Sequence, residues 1–176
     1  YIGQNFCKQY SDKYQIDTTL GDSSKFNFGF PGCSGWDKLS TLSGPLKAVL
    51  FLQGINPRIG FQTIDHDDFE EMLTLNISTP TMILNRLDEQ GVIDDASIVF
   101  MSSIAAKKGS YDPSYACAKA ALHGLVPTLM NNLSCRINVI SLGLVEGSPV
   151  HKGMTPNFEK KHRDRMGGKL VNVNDV

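Results

Sequence analysis

The chain has 176 residues, of which 41% are hydrophobic and 20% are charged, and its formal net charge is −1. These values are ordinary for one globular domain with a sizeable core, and so small a net charge gives no general attraction to nucleic acid or to a membrane surface. Because no apolar run approaches a membrane span and no secretory signal pattern opens the chain, we expect a cytoplasmic protein.

The first third of the chain predicts short elements. Residues 4–13 have the pattern of an amphipathic helix, 14–20 and 25–30 are strand candidates, and 36–42 could add a helix. Residues 46–52 then form a nearly continuous apolar run, which is typical of a strand buried on both faces of a sheet.

The later part of the chain alternates helices with buried strands. Acidic residues at 65–68 supply N-cap candidates for a long helix, and Pro80 within that helix predicts a bend. In chain order we predict a helix at 67–89, a strand at 96–101, a helix at 114–133, a strand at 136–141 and the start of a helix at 172–176. This alternation predicts an α/β fold with a doubly wound, Rossmann-like parallel sheet in three α/β/α layers, which binds ligands at the carboxyl ends of its strands.

Residues 97–119 combine groups suited to carbonyl and alcohol chemistry. Ser103 ends an apolar strand, and Tyr115 and Lys119 lie four residues apart near the start of a helix, so they share one helical face. A positive charge beside a phenol favours the phenolate, which brings proton exchange closer to neutral pH, and a facing hydroxyl can hold a carbonyl oxygen. The alternative is an ordinary exposed helix pair, because Tyr-x-x-x-Lys also occurs by chance.

Together with Gly54 after the first buried strand, Asn76 inside a helix and the segment 138–143, these pieces resemble the classical short-chain dehydrogenase/reductase family. The resemblance runs from about residue 44 to the C-terminus and implies that residues 1–176 are a single dinucleotide-binding domain. Relative to the family, the first and last strands of the sheet are expected to be missing from this sequence.

The resemblance implies an NAD(P)-dependent oxidoreductase that interconverts a small-molecule ketone or aldehyde and an alcohol. Tyr115 would be the general acid/base, and Lys119 would supply positive charge and hold the nicotinamide ribose. Ser103 would orient the substrate oxygen, and Asn76 would anchor a water that links Lys119 to solvent. The alternative for Asn76 is packing inside its helix.

Two adjacent serines compete for the substrate-orienting role. A common family spacing to Tyr115 points to Ser102, whereas the local pattern Ser-Ser-Ile-Ala favours Ser103. Because alternate residues of a strand face opposite sides of the sheet, one of the two can face the site, and we predict Ser103.

The resemblance also implies NAD or NADP as the cofactor. Its expected contacts are Ile2, Gly3, Asp22, Gly54, Tyr115, Lys119, Gly143, Val145 and Ser148. Asp22 lies about 20 residues after Gly3, where an acid can bind the ribose 2′-hydroxyl of NAD, whereas residues 23–25 could bind the 2′-phosphate of NADP. We slightly favour NAD, and the alternative is that Asp22 is an ordinary turn residue.

The chain departs from the family pattern at several cofactor positions. Phe51 and Leu52 stand where the family has its two asparagines, Leu142 where it has proline, and Gly147 where threonine is usual, although Ser148 could replace that threonine. The basic segment 146–168 falls where the family has its substrate lid, with a solvated helix face as the alternative.

Other classes of function remain open from the sequence. A catalytically weak dinucleotide-binding sensor or scaffold is one, and a nucleotide-sugar epimerase of the extended branch is another. The four cysteines have no C-x-x-C spacing, so no metal site is expected. By resemblance, the protein would be a homo-oligomer packed through the helices at 67–89 and 114–133, with a monomer as the alternative.

Overall fold

In a computed structural model of the chain, the described residues are 2–16, 39–54, 56 and 58–176. They form two compact units. We call described residues 39–141 the central unit, and residues 2–16 with 142–176 the terminal unit. No helix in these ranges is long and apolar enough to cross a membrane. The strand predicted at 25–30 lies outside the described residues.

The secondary structure alternates between helices and strands from residue 48 onward, as predicted. In chain order the elements are α1 (Ile2–Tyr10), β1 (Ala48–Phe51), α2 (His66–Leu73), a π-helical segment (Thr74–Ser78), α3 (Thr79–Glu89), β2 (Ser97–Ser103), α4 (Ala105–Lys108), α5 (Pro113–Met130), β3 (Arg136–Leu142), α6 (Pro149–Lys152), α7 (Pro156–Arg165) and a 3₁₀ turn (Val173–Asp175).

The strands form a parallel sheet in the order β1-β2-β3. Strand β1 pairs with β2 in a register that runs from Ala48 opposite Ser97 to Phe51 opposite Phe100, whose rings stack with centroids 4.8 Å apart. Parallel neighbours need a crossover between them, and α2, α3 and α5 supply these connections. The predicted Rossmann-like α/β fold is therefore confirmed, and it gathers the carboxyl ends of the strands at one edge.

The long helix predicted at 67–89 is interrupted by a π turn. It begins with a capping box in which the Asp65 side chain accepts from the Asp68 N–H and the Asp68 side chain accepts from the Asp65 N–H. At the π-helical segment the Thr79 N–H donates to the Thr74 carbonyl, five residues back. Pro80 explains why the π turn lies here: its ring lacks an N–H and would clash with the carbonyl of residue 76 in a regular helix. The disruption expected at Pro80 thus occurs one turn earlier.

Helix α5 begins and packs differently from a simple surface helix. Its N-cap, Asp112, is fully buried. The buried face carries Ala118, Leu122 and Val126, and the helix packs against β2, α2, α4 and the π-helical segment. It ends at Met130 rather than at the predicted residue 133. This packing holds the first turns of α5 against the carboxyl end of β2.

The terminal unit differs more from the sequence prediction. Helix α1 spans Ile2–Tyr10 rather than 4–13, and residues 14–16 are not in a strand, so the described part of the strand predicted at 14–20 is wrong. The segment 146–168 contains α6 and α7, and the C-terminal residues form a 3₁₀ turn that contacts α1. Arg163 braces α7 through bonds of 2.7 and 2.8 Å to Glu159.

Candidate active site

The four predicted catalytic residues all lie in the central unit. Ser103 is the last residue of β2, Tyr115 and Lys119 are in the first two turns of α5, and Asn76 is in the π-helical segment. Gly54 follows β1 and approaches both Lys119 and Asn76. The structure therefore brings all four side chains to the carboxyl edge of the sheet.

Lys119 is a buried lysine with its head group held in place. Its side chain is 4% exposed, and Nζ donates to the Met101 carbonyl of β2 at 2.9 Å. Burial lowers the pKa of Lys119 to about 8, because removal from water penalises the charged amine. An ammonium has three donors, and the remaining N–H groups of Lys119 have no hydrogen-bond partner within the central unit as described.

Tyr115 lies beside both Ser103 and Lys119. Burial raises the pKa of Tyr115, a side-chain hydrogen bond from Ser103 lowers it, and the charge of Asp112 raises it, with a net upward shift. The Lys119 ammonium is 5.8 Å from the centre of the phenol ring. In the protein alone, burial outweighs the contribution of Ser103 to the pKa of Tyr115, and the lowering expected from Lys119 together with an oxidised nicotinamide ring stays a prediction.

The two serines at the end of β2 face different partners. Ser103 lies near enough to the Tyr115 phenol to lower its pKa, and it accepts from the Ala105 N–H at 3.1 Å. Ser102 is buried and donates to the Lys119 backbone carbonyl at 2.9 Å, and its hydroxyl also lies 3.2 Å from His123 Nε2. Ser102 thus braces the backbone of α5, and Ser103 is the serine next to the phenol; its role in orienting a substrate stays a prediction.

Asn76 presents a buried polar atom toward this site. Its side chain is 3% exposed, and Nδ2 donates to the Met72 carbonyl at 2.9 Å. Its Oδ1 is buried and has no hydrogen-bond partner among the described residues. A buried acceptor without a partner is costly, so this oxygen is suited to bind a water or a ligand group.

Gly54 provides a test of whether the site can hold a nicotinamide ribose. A Cβ at this position would lie 3.2 Å from Lys119 Nζ and 3.4 Å from Asn76 Oδ1. The absence of a side chain therefore leaves both polar atoms open on the same side of the β1 end. Donors on Lys119 and an acceptor on Asn76 are what ribose hydroxyls and a bound water require, so these residues fit a nicotinamide dinucleotide.

The remaining predicted cofactor residues lie in the terminal unit, apart from Asp22, which is outside the described residues. Ile2 and Gly3 form the first turn of α1. Gly143 follows β3 under the Met166 side chain, Val145 forms a bridge with Val171, and Ser148 caps α6 by accepting from the His151 N–H at 3.2 Å. The contacts expected between these residues and the dinucleotide stay predictions.

Three features near the site were not found from the sequence. The Met101 carbonyl holds Lys119, His123 joins Ser102 and Ser141 through its Nε2 at 3.2 Å from each hydroxyl, and Asp112 is buried beside Tyr115. His123 follows Lys119 by one helical turn, which was a usable signal. In the part of the chain that is described, no group of three or more His, Cys, Asp and Glu side chains could hold a metal ion.

Comparison with known proteins identifies the family of the chain. A family model described as short chain dehydrogenase matches residues 38–159. No curated protein matches the chain.

Solved structures share the fold at low sequence identity. An angucycline C-6 ketoreductase, LanV, with bound NADP is 19% identical with a TM-score of 0.65, over 73% of this chain and 51% of that chain. A glucose/ribitol dehydrogenase from Brucella melitensis is 17% identical with a TM-score of 0.59, over 73% and 52%. A landomycin C-6 ketoreductase, LanV, with bound NADP and rabelomycin is 17% identical with a TM-score of 0.58, over 73% and 50%. The chain spans about half the length of these structures.

Proposed function

The chain belongs to the short-chain dehydrogenase family, and we propose that it is an NAD(P)-dependent oxidoreductase that interconverts a small-molecule ketone or aldehyde and the corresponding alcohol. The observation that carries this proposal is that Ser103 and Lys119 both lie beside the Tyr115 phenol: the Ser103 hydroxyl is near enough to lower the pKa of Tyr115, and the Lys119 ammonium is 5.8 Å from the centre of its ring. Together these groups can bind a carbonyl oxygen and move a proton to or from it.

Tyr115 is the proton donor when the carbonyl is reduced. Its raised pKa keeps the phenol protonated at neutral pH, which is the form needed to protonate an oxygen that gains negative charge. Ser103 donates a hydrogen bond to the same oxygen and fixes its distance from the phenol. In the reverse direction the phenolate removes the alcohol proton, and the upward pKa shift makes this direction require higher pH.

Lys119, Asn76 and Gly54 serve the cofactor side of the site. A bound nicotinamide dinucleotide would supply or accept the hydride. Lys119 would direct its remaining N–H groups to the ribose hydroxyls while the Met101 carbonyl holds its head group. The unpaired Oδ1 of Asn76 would anchor a water through which Lys119 exchanges protons with solvent.

The same proposal includes the choice between NAD and NADP and the roles of residues in the terminal unit. Both LanV structures are described with NADP, which gives no support to the preference for NAD, so we propose NAD or NADP without ranking them. Ile2, Gly3, Gly143, Val145 and Ser148 would complete the cofactor contacts within one domain, and the segment 146–168 would cover the substrate. A cytoplasmic location and a homo-oligomer stay predictions.

The experiment is a turnover assay with NADH and with NADPH against a panel of ketones and aldehydes. Tyr115→Phe should lower kcat by about 10²- to 10⁴-fold. Tyr14→Phe is the matched control, because Tyr14 is 61% exposed and belongs to the terminal unit, and it should keep wild-type activity. Dinucleotide binding without turnover of any substrate would instead favour the sensor or scaffold alternative, and equal activity of both variants would refute the role of Tyr115.

A further inference from the structure

Asp112 is a fully buried carboxylate that joins two segments far apart in the sequence. Its Oδ1 accepts from the Tyr115 N–H at 3.0 Å and from the Ser114 hydroxyl at 2.7 Å. Its Oδ2 accepts from the Ile59 N–H at 3.2 Å, across 53 residues of chain. One side chain thus connects the loop at 58–60 to the first turn of α5.

Helix capping alone does not require this arrangement. An N-cap needs a single side-chain acceptor, which serine or asparagine supplies as well as aspartate. Asp65 shows the simple case, since its Oδ1 accepts from the Asp68 N–H at 2.9 Å on an exposed helix start. Asp112 makes the same bond to its own third helical residue but is 0% exposed and uses its second oxygen elsewhere. Burying a carboxylate is unfavourable unless hydrogen bonds compensate for the lost contact with water.

The loop that Asp112 holds is itself constrained. Arg58 has φ 62°, a left-handed backbone conformation that residues other than glycine rarely adopt. At Gly60 an added Cβ would lie 2.5 Å from the Tyr111 hydroxyl oxygen, so the loop fits closely against the residue before Asp112. Two contacts, at Ile59 and at Gly60, therefore hold the loop at 58–60 against residues 111–112.

We propose that Asp112 is a positioning residue for Tyr115: it holds the loop at 58–60 and the first turn of α5 in one arrangement, which fixes the phenol beside Ser103. The role of Tyr115 as acid/base rests on the proposed function, whereas the positioning itself does not. Among the charged groups around the phenol, Lys119 and Asp112 lie on or next to α5, and the charged side chains of α2 and α4 are exposed at the surface except for the half-buried Asp68. The charge of Asp112 contributes to the raised pKa of Tyr115.

The test compares Asp112→Asn and Asp112→Ala with Asp65→Ala, which removes a matched N-cap bond away from the site. Asp112→Ala should lower kcat for carbonyl reduction by about 100-fold, the order expected for a displacement of about 1 Å at a reacting group. Asp112→Asn keeps an oxygen for the Tyr115 N–H, so it should recover most of that loss. Because Asn lacks the negative charge, the alkaline limb of its pH profile should move to lower pH. Asp65→Ala should lose stability without changing kcat or the pH profile.

Two measurements decide the proposal without turnover. Titration of phenolate absorbance, with Tyr115→Phe subtracted to isolate Tyr115, should begin at lower pH in Asp112→Asn. Amide hydrogen exchange at Ile59 should become faster in that variant. The asparagine side chain has an NH2 group in place of Oδ2, and this group cannot accept the Ile59 N–H.

The outcomes separate the two proposals. A protein that shows both shifts but turns over no carbonyl supports the positioning role and refutes the proposed function. Unchanged phenolate titration and Ile59 exchange in Asp112→Asn overturn the positioning role, even if Asp112→Ala fails to fold. A kcat in Asp112→Ala equal to that of Asp65→Ala does the same and reduces Asp112 to an ordinary cap.

Discussion

Replacing Gly54 with alanine probes the close approach between the end of β1 and the Lys119 head group. The added Cβ would lie 3.2 Å from Nζ and 3.4 Å from Asn76 Oδ1, so one of these groups must move by a few tenths of an ångström. Nζ is the end of a flexible side chain, but it is buried and tied to the Met101 carbonyl. The substitution should therefore weaken that bond and narrow the space beside Lys119.

Two opposing effects set the size of the change in stability. Gly54 does not have a positive φ, so alanine is compatible with its backbone and should stabilise by about 0.4–1 kcal/mol through the unfolded chain. A buried hydrogen bond from a charged donor contributes about 1.5–3 kcal/mol, and the displaced Lys119 would lose much of it. We expect a net loss of about 1 kcal/mol in the free energy of unfolding, with weaker dinucleotide binding.

Gly124→Ala is the matched control. Gly124 lies inside α5, its backbone does not have a positive φ, and no heavy atom lies within 4 Å of an added Cβ. Alanine there should stabilise by about 1 kcal/mol through helix propensity. Urea unfolding and calorimetric titration with NADH and NADPH measure both variants. If Gly54→Ala is stabilised as much as Gly124→Ala and keeps the wild-type Kd, the packing argument at Lys119 is wrong.

Three further predictions follow from the same contacts. Because burial lowers the pKa of Lys119 to about 8, the folded state binds fewer protons than the unfolded state above that pH. The stability of the wild type relative to Lys119→Met should therefore rise by about 2–3 kcal/mol from pH 7 to pH 10, as measured by urea unfolding. A difference that stays constant with pH would contradict this. Ser102→Ala should cost about 1 kcal/mol of stability and keep kcat, whereas Ser103→Ala should lower kcat about 10²- to 10³-fold with little change in Tm; the opposite ranking would exchange their roles. Gly143→Ala should destabilise by no more than about 1 kcal/mol, because its Cβ would meet the flexible end of the half-buried Met166 side chain, and adding Met166→Ala should recover part of that loss; a double-mutant cycle with purely additive effects would argue against the contact.

The sequence predicted the parts of the fold that periodicity controls. The apolar run at 46–52, the apolar residues before Ser103 and the spacing of Tyr115 and Lys119 each reflect a regular strand or helix. Strand alternation indicated that one of Ser102 and Ser103 can face the site, and the pattern Ser-Ser-Ile-Ala favoured Ser103. These local rules hold wherever an element is regular and buried.

What the sequence did not predict depends on contacts between distant segments. The pKa direction of Tyr115 follows from how deeply α5 packs on β2, which no spacing reveals. Asp112 has the pattern of an ordinary N-cap, and its bond to Ile59 depends on a loop 53 residues away. The strand predicted at 14–20 failed in its described part because β-branched and apolar residues there did not determine pairing on their own.

A π turn is equivalent to one extra residue accommodated within an otherwise regular helix. Removing Leu75 would restore the ordinary hydrogen-bonding pattern and rotate the Asn76 side chain by about 100° around the axis relative to α2, away from Gly54. A one-residue gap here in an aligned homologue would therefore mean that the polar oxygen beside Lys119 is gone, even where the asparagine itself is retained.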